Sequence, residues 1–181
     1  MSSTTTIPNV TGRRAGLQQD GRQLAGRAGL PGILARVLRT DRDPGTLLIR
    51  LVLGLVILPH GAQKALGWFG GAGFGGTMDF FTGQMGIPAL FAFLAIAAEF
   101  AGGLGLVSGF LTRIAAFGVL ANMVVAAVMV HLPNGFFMNW YGNQQGEGFE
   151  YHLLAGAMAL YLVIKGGGAA SVDRALAAKA A

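Results

Sequence analysis

The feature that most constrains this chain is a set of four long apolar stretches, at 46–67, 88–109, 112–132 and 149–165. Each of the first three is long enough, at roughly 1.5 Å of rise per residue, to carry a helix across a hydrocarbon layer of about 30 Å. The fourth is at the short end of the usual range of about 17–25 residues, which puts its flanks Glu150 and Lys165 at the two interfaces. With 53% hydrophobic and only 12% charged residues, the composition is that of a chain that uses lipid as solvent. The predicted fold is therefore all-α, an integral membrane protein built as an antiparallel four-helix transmembrane bundle over 46–167. Residues 1–45 read as a basic, largely disordered extension and 168–181 as a tail. The link Ser108-Gly109-Phe110-Leu111-Thr112 is very short, with Gly109 suited to end one helix and Thr112 to cap the next, so the second and third segments should form a tight antiparallel hairpin.

Charge sets the expected orientation. The net charge of +5 owes much to arginines ahead of the first apolar stretch. That pattern suits a flank beside anionic lipid better than a nucleic-acid patch, and no nucleic-acid partner is expected. With four crossings both termini share one side. That side collects the N-terminal arginines, Arg50, Arg113, Lys165, Arg174 and Lys179, leaving Lys64 opposite, so both termini are expected in the cytoplasm. No continuous apolar run with a small-residue cleavage site precedes residue 46, and no cleavable signal peptide is expected. Near 30–39, Leu30, Ile33, Leu34, Val37 and Leu38 fall at helical spacing among Arg27, Arg36 and Arg39, and Pro31 suits a first turn. A short helix on the membrane surface stands there as the alternative to disorder.

Two function classes fall away. The chain has no cysteine, so thiol redox chemistry and thiolate metal ligands are excluded, and any redox role needs a cofactor. The run Gly71-Ala72-Gly73-Phe74-Gly75-Gly76 matches a dinucleotide-binding pattern, but that pattern has meaning only between a strand and a helix, so it reads as a flexible loop. The connections 68–87 and 133–148 carry Trp68, Phe69, Phe80, Phe137, Trp140 and Tyr141 among others, which reads as an aromatic belt on the outer side.

Ionisable groups inside membrane spans cost a few kcal/mol each on insertion scales, so each one here raises a functional question. Glu99 is the sharpest case, about 16 Å from the outer start of its segment. Asn122 lies at similar depth and is placed to hydrogen-bond with it across the hairpin. Without a cationic partner a desolvated carboxyl keeps its proton. The expected cation is Arg50, which shares a helix face with Gly54, Ile57, Gly61 and Lys64 and can reach toward Glu99 or snorkel to the headgroups. Gly54 and Gly61, like Gly102, Gly103, Gly105 and Gly109, admit a close helix neighbour. Pro59 frees the carbonyl of Leu55, which is tolerable only beside another helix or a wet cavity. His60, Gln63 and Lys64 follow within about one turn. All three histidines, His60, His131 and His152, belong to this outer layer, with Glu150 and Tyr151 beside them. A layer of this kind supplies hydrogen-bond donors, a proton acceptor and aromatic walls; the bland alternative is interfacial snorkelling, which suits Lys64 and Glu150. A metal site from His60, His131, His152 and Glu150 has suitable ligand types but no supporting spacing, and bis-histidine haem is a further alternative.

The strings Leu48-Ile49-Arg50 through Leu58-Pro59-His60-Gly61-Ala62-Gln63-Lys64, then Ala98-Glu99-Phe100-Ala101-Gly102-Gly103, then Gly109-Phe110-Leu111-Thr112-Arg113, then His131-Leu132-Pro133-Asn134-Gly135-Phe136-Phe137 closely resemble the DoxX family of small membrane proteins. The resemblance covers roughly 46–175. It implies a four-helix protein of the bacterial inner membrane, related to the quinone-linked DoxD subunit of thiosulfate oxidation and associated with oxidoreductase systems. It carries over no agreed catalytic residue. The expected function is a quinone-interacting or membrane-anchoring subunit. His60, Gln63, Lys64, His131, Asn134 and His152 are the candidate cofactor-binding residues. Glu99, His60 and Glu150 are candidates for proton movement, and Arg50, Pro59, Arg113 and Asn122 for structural polar roles. A soluble or peripheral redox protein would supply electrons. The alternatives are a small-solute or proton-coupled transporter, which would need a homo-oligomer to widen a four-helix pathway, and a scaffold that recruits peripheral enzymes.

Overall fold

The computed structural model describes residues 32–179, and among these there is no strand. Helix α1 spans Gly32–Leu38 and α2 spans Pro44–Leu66. After a 3₁₀ turn at Trp68–Gly70, α3 covers Gly73–Asp79 and runs into a π turn at Phe80–Gln84. Helix α4 is Ala89–Ser108, and α5 is Thr112–Ala126, prolonged by a π turn at Ala127–His131 and a 3₁₀ turn at Leu132–Asn134. Helix α6 is Glu150–Lys165 and α7 is Val172–Lys179. The helix ends follow sequence chemistry. Asp43 caps α2 by accepting from the backbone N–H of Gly45 and Thr46, both at 3.0 Å, with Pro44 at the first helical position. Gly67 and Gly109 close α2 and α4 in the left-handed conformation.

One core holds α2, α4, α5 and α6 together, from Leu53 and Ile57 through Leu106, Val119 and Met123 to Ala159 and Leu162. Helices α2 and α4 approach closest. A Cβ on Gly61 would overlap the backbone of Glu99 and Phe100, and one on Gly54 would stand 2.9 Å from the nitrogen of Val107. In lipid, where apolar side chains gain nothing by leaving acyl chains, such close backbone packing is a main source of helix association. The two contacts also fix an antiparallel register, residue 61 beside 100 and residue 54 beside 107.

Three helices, Pro44–Leu66, Ala89–Ser108 and Thr112–Asn134, are long and apolar enough to cross a membrane. At 16 residues α6 is about 24 Å long, short of a hydrocarbon layer of about 30 Å. The chain is α-helical with several apolar helices, and α2 runs unbroken through Pro59.

Four expectations change. Thr112 does not cap α5: the cap residue is Leu111 in the left-handed conformation, and the carboxylate of Asp173 accepts from the N–H of Leu111 and Thr112 at 2.6 and 2.8 Å. The segment read as a tail is therefore packed, with Asp173 only 1% exposed. The glycine run 71–76 is no free loop, because Gly71 lies against the backbone of Gln63 and α3 begins at Gly73. Helix α1 buries Leu38, so it is docked on the bundle as well as carrying exposed Ile33. Leu30 and Pro31, and most of the extension read as disordered, lie outside the described residues.

Candidate functional site

Glu99 sits on the face of α4 turned toward α2 and α5 and is 6% exposed. Lys64, in the last turn of α2, brings Nζ to 2.5 Å from Glu99 Oε2. From α5, Asn122 donates Nδ2 to Glu99 Oε1 at 2.7 Å. A cation on one oxygen and an amide on the other offset the desolvation of a buried carboxylate. From sequence, Arg50 is the expected cation and Lys64 an interfacial residue. In the structure Lys64 is the partner of Glu99, and the helix register explains why: with 61 beside 100, Glu99 stands level with the end of α2 that carries Lys64. Arg50 lies fourteen positions back along α2, about 21 Å away.

Beside this triad Tyr151 and His152 enter from the first turn of α6. The Tyr151 hydroxyl and His152 Nδ1 are buried with no hydrogen-bond partner among the described residues. His152 stacks on His131, with ring centroids 4.0 Å apart and planes inclined by 35°. On an ideal helix His131 would point away from Asn122. The π turn Ala127–His131 inserts one extra residue and rotates the helix beyond it by roughly 100°, so that both line the same space. That space is a cleft of about 1500 Å³ running between α4 and α5. His60, Lys64, Glu99, Asn122 and Tyr151 form part of its polar lining, and exposed apolar side chains such as Phe91, Leu94, Phe117 and Val125 form much of the rest. His60 lines it from an exposed position.

Gln63, Asn134 and Glu150 do not line the cleft; they pin loops. Gln63 Nε2 donates to the carbonyl of Phe69 at 3.4 Å, and Asn134 Nδ2 to that of Glu147 at 3.1 Å. Glu150 accepts from the N–H of Met138 at 2.8 Å and from the Trp140 indole at 3.3 Å. His131 does both jobs, since its Nδ1 meets the carbonyl of Glu147 at 2.8 Å. Among the described residues no group of three or more metal-ligating side chains comes together.

Comparison with known proteins agrees with this architecture. The DoxX family profile matches residues 45–132. "Putative oxidoreductase CatD" of Bacillus subtilis (strain 168) is 32% identical over 118 residues, 65% of this chain and 78% of that protein. "Inner membrane protein YqjF" of Escherichia coli (strain K12) is 30% identical over 74% of this chain and 93% of its own. The "Uncharacterized membrane protein Rv3486" of Mycobacterium tuberculosis (strain ATCC 25618 / H37Rv) is 32% identical over 80% of this chain and 89% of its own. The chain belongs to the DoxX family. It is a membrane protein, in contact with the lipid bilayer. No solved structure matches the chain at a significant level.

In this DoxX chain two further buried charges, Arg50 and Asp173, serve the scaffold. Arg50 is 1% exposed and donates to the carbonyls of Leu106 (2.6 Å), Val107 and Gly167 (both 2.9 Å), Ala170 (3.1 Å) and Ala169 (3.5 Å). It thereby satisfies the open C-terminal carbonyls of α4 and ties them to the link between α6 and α7. Arg113 does the same for α6, donating to the carbonyls of Val163 and Ile164 (2.6 Å) and of Arg39 (3.0 Å). Asp173 is the residue that sequence reasoning misses here. Its partners lie about sixty positions away, and no local spacing announces them.

Proposed function

We propose that the protein is the quinone-interacting membrane subunit of an oxidoreductase system in the bacterial inner membrane, with α6 as a fourth crossing and both termini cytoplasmic. The observation that carries this reading is the pair of unpartnered buried polar atoms, Tyr151 Oη and His152 Nδ1, beside the Glu99–Lys64 pair at the polar part of an otherwise apolar cleft. Buried polar atoms are nearly always hydrogen-bonded, so two orphans on one turn fit a ligand with oxygen acceptors or donors. The cleft walls are exposed apolar side chains of α4 and α5, which suits entry of a lipophilic tail from the bilayer. The names of two relatives, "Putative oxidoreductase CatD" and "Inner membrane protein YqjF", point the same way.

Bound there, a quinone supplies two-electron, two-proton chemistry, with electrons delivered by a peripheral redox protein. The chain's own residues hold and orient it. Tyr151 Oη and His152 Nδ1 meet its oxygens, Lys64 places a positive charge nearby, and Glu99 holds or passes a proton at Oε1 or Oε2. Asn122 keeps that carboxylate turned toward Lys64. His60 lines the same cleft. The test is extraction and mass-spectrometric quantification of quinone from protein purified out of native membranes in mild detergent. Bound quinone that falls at least tenfold in Glu99→Gln and His152→Ala, with the fold intact, is expected. A protein free of quinone, or variants that keep it, would sink the reading.

A further inference from the structure

At the end of the bundle opposite the long connections, a second cleft of about 760 Å³ lies among α1, the link to α2, the start of α5 and the end of α6. Arg36, Arg39, Arg113 and Lys165 line it, with Asp41 as the one carboxylate. The charge is not spent internally. The Lys64–Glu99 pair is the only ion pair among the described residues, and the Asp41 carboxylate accepts from the N–H of Asp43 at 3.3 Å. Arg113 uses its Nη atoms on carbonyls of α6 and of Arg39 in the link, while its buried Nε has no partner among the described residues. Arg36, Arg39 and Lys165 are exposed.

The cleft is also held in shape. Gly168 N–H donates to Thr40 Oγ1 at 2.6 Å, Ala169 N–H donates to the carbonyl of Asp43 at 3.2 Å, and Arg113 holds the carbonyl of Arg39. A Cβ on Gly166 would stand 2.8 Å from that same carbonyl, so the link and the end of α6 are in direct contact. The remaining wall is apolar, Val37, Val163 and Ile164, and Ile164 is 65% exposed on the last turn of α6. A cationic concavity thus stands directly beside an exposed apolar surface. We propose that this cleft is a specific site for the phosphodiester headgroup of an anionic phospholipid, with an acyl chain along Val163 and Ile164. Free phosphate would satisfy the cations but not the apolar wall, and basic recesses between membrane helices are where anionic headgroups bind.

The test is native mass spectrometry of the full chain in mild detergent, titrated with phosphatidylglycerol and with phosphatidylcholine. Preference for phosphatidylglycerol of at least tenfold is expected, weakening with salt. Each of Arg36→Gln, Arg39→Gln and Lys165→Gln should lower that preference about fivefold, and Arg36→Lys with Arg39→Lys should keep it. These exposed side chains make no ion pair among the described residues, and unchanged helical content would confirm an intact fold. Equal binding of the two lipids, preference surviving the triple Gln variant, or displacement by millimolar inorganic phosphate would each overturn the lipid site. None of these outcomes depends on quinone binding in the other cleft.

Discussion

The two ends of the bundle use buried polar groups in opposite ways. At the end where α4 gives way to α5, Arg50, Arg113 and Asp173 spend hydrogen bonds on main-chain groups. Around Glu99 the bonds run between side chains, and two polar atoms of α6 have no partner among the described residues. A side chain that satisfies helix ends is fixed by the fold. A side chain paired with another side chain beside a cleft can exchange partners when a ligand arrives. The difference predicts that substitutions at the first end cost stability, and that substitutions at the second cost binding.

The largest effect should come from Arg50→Met. It leaves the carbonyls of Val107, Gly167 and Ala170 without their donor and that of Leu106 with only the Gly109 N–H, at about 1–3 kcal/mol for each unpaired one that water cannot reach. Loss of folded protein from the membrane is expected, and Arg50→Lys should rescue little, since one ammonium cannot reproduce a forked guanidinium. A variant that purifies with unchanged thermal unfolding would break the contrast at its strongest point. Gly61→Ala comes next. It is remote from Arg50 but on the same helix pair, and its methyl group must push α2 away from the backbone of Phe100, at roughly 1–3 kcal/mol. Lys64 would move with α2, so Gly61→Ala should lower both the unfolding temperature and quinone binding.

Glu99→Gln sharpens the contrast from the other side. The amide keeps an acceptor for Asn122 and removes only a pair whose lysine side chain is 28% exposed. Lys64 stands in the last turn of α2 and can turn its ammonium toward the helix end, so stability should fall by less than in Arg50→Met. Quinone retention should fall at least tenfold. Unfolding followed by circular dichroism, beside quinone content, separates the two quantities in one preparation.

How much of this was legible in the sequence divides along the same line. The all-helical fold, the membrane setting and the family follow from apolar length and a few motif strings, because lipid leaves a chain little choice but helices. The pairing of Asn122 with Glu99 was legible too, since the five-residue link fixes which depths meet. The choice between Lys64 and Arg50 was not. It depends on the axial register of α2 against α4, and that register is set by backbone contacts at Gly54 and Gly61 which the glycines permit but do not specify. That His131 shares a space with Asn122 was hidden for a different reason: a π turn shifts a helical face by one residue, and nothing in Ala127–His131 marks where the extra residue enters. Asp173 needed the return of the chain beyond α6.

The smallest effect is expected at Asp43, and pH gives the cleanest way to see it. Its carboxyl sits below the ordinary value of 3.8, first because the Thr46 hydroxyl donates to it, then because the N–H groups of Gly45 and Thr46 do. A carboxylate whose folded value is depressed contributes stability above its unfolded value and loses it as pH falls through the folded one. The contribution is therefore fully present at neutral pH and fades only below about pH 3.8. Asn is as good a helix cap as Asp but does not titrate. Asp43→Asn should leave neutral-pH stability nearly unchanged and flatten the acid limb of the unfolding curve below about pH 3.8. An acid limb that stays as steep as in the unsubstituted protein would overturn the assignment of that stability to the Asp43 cap.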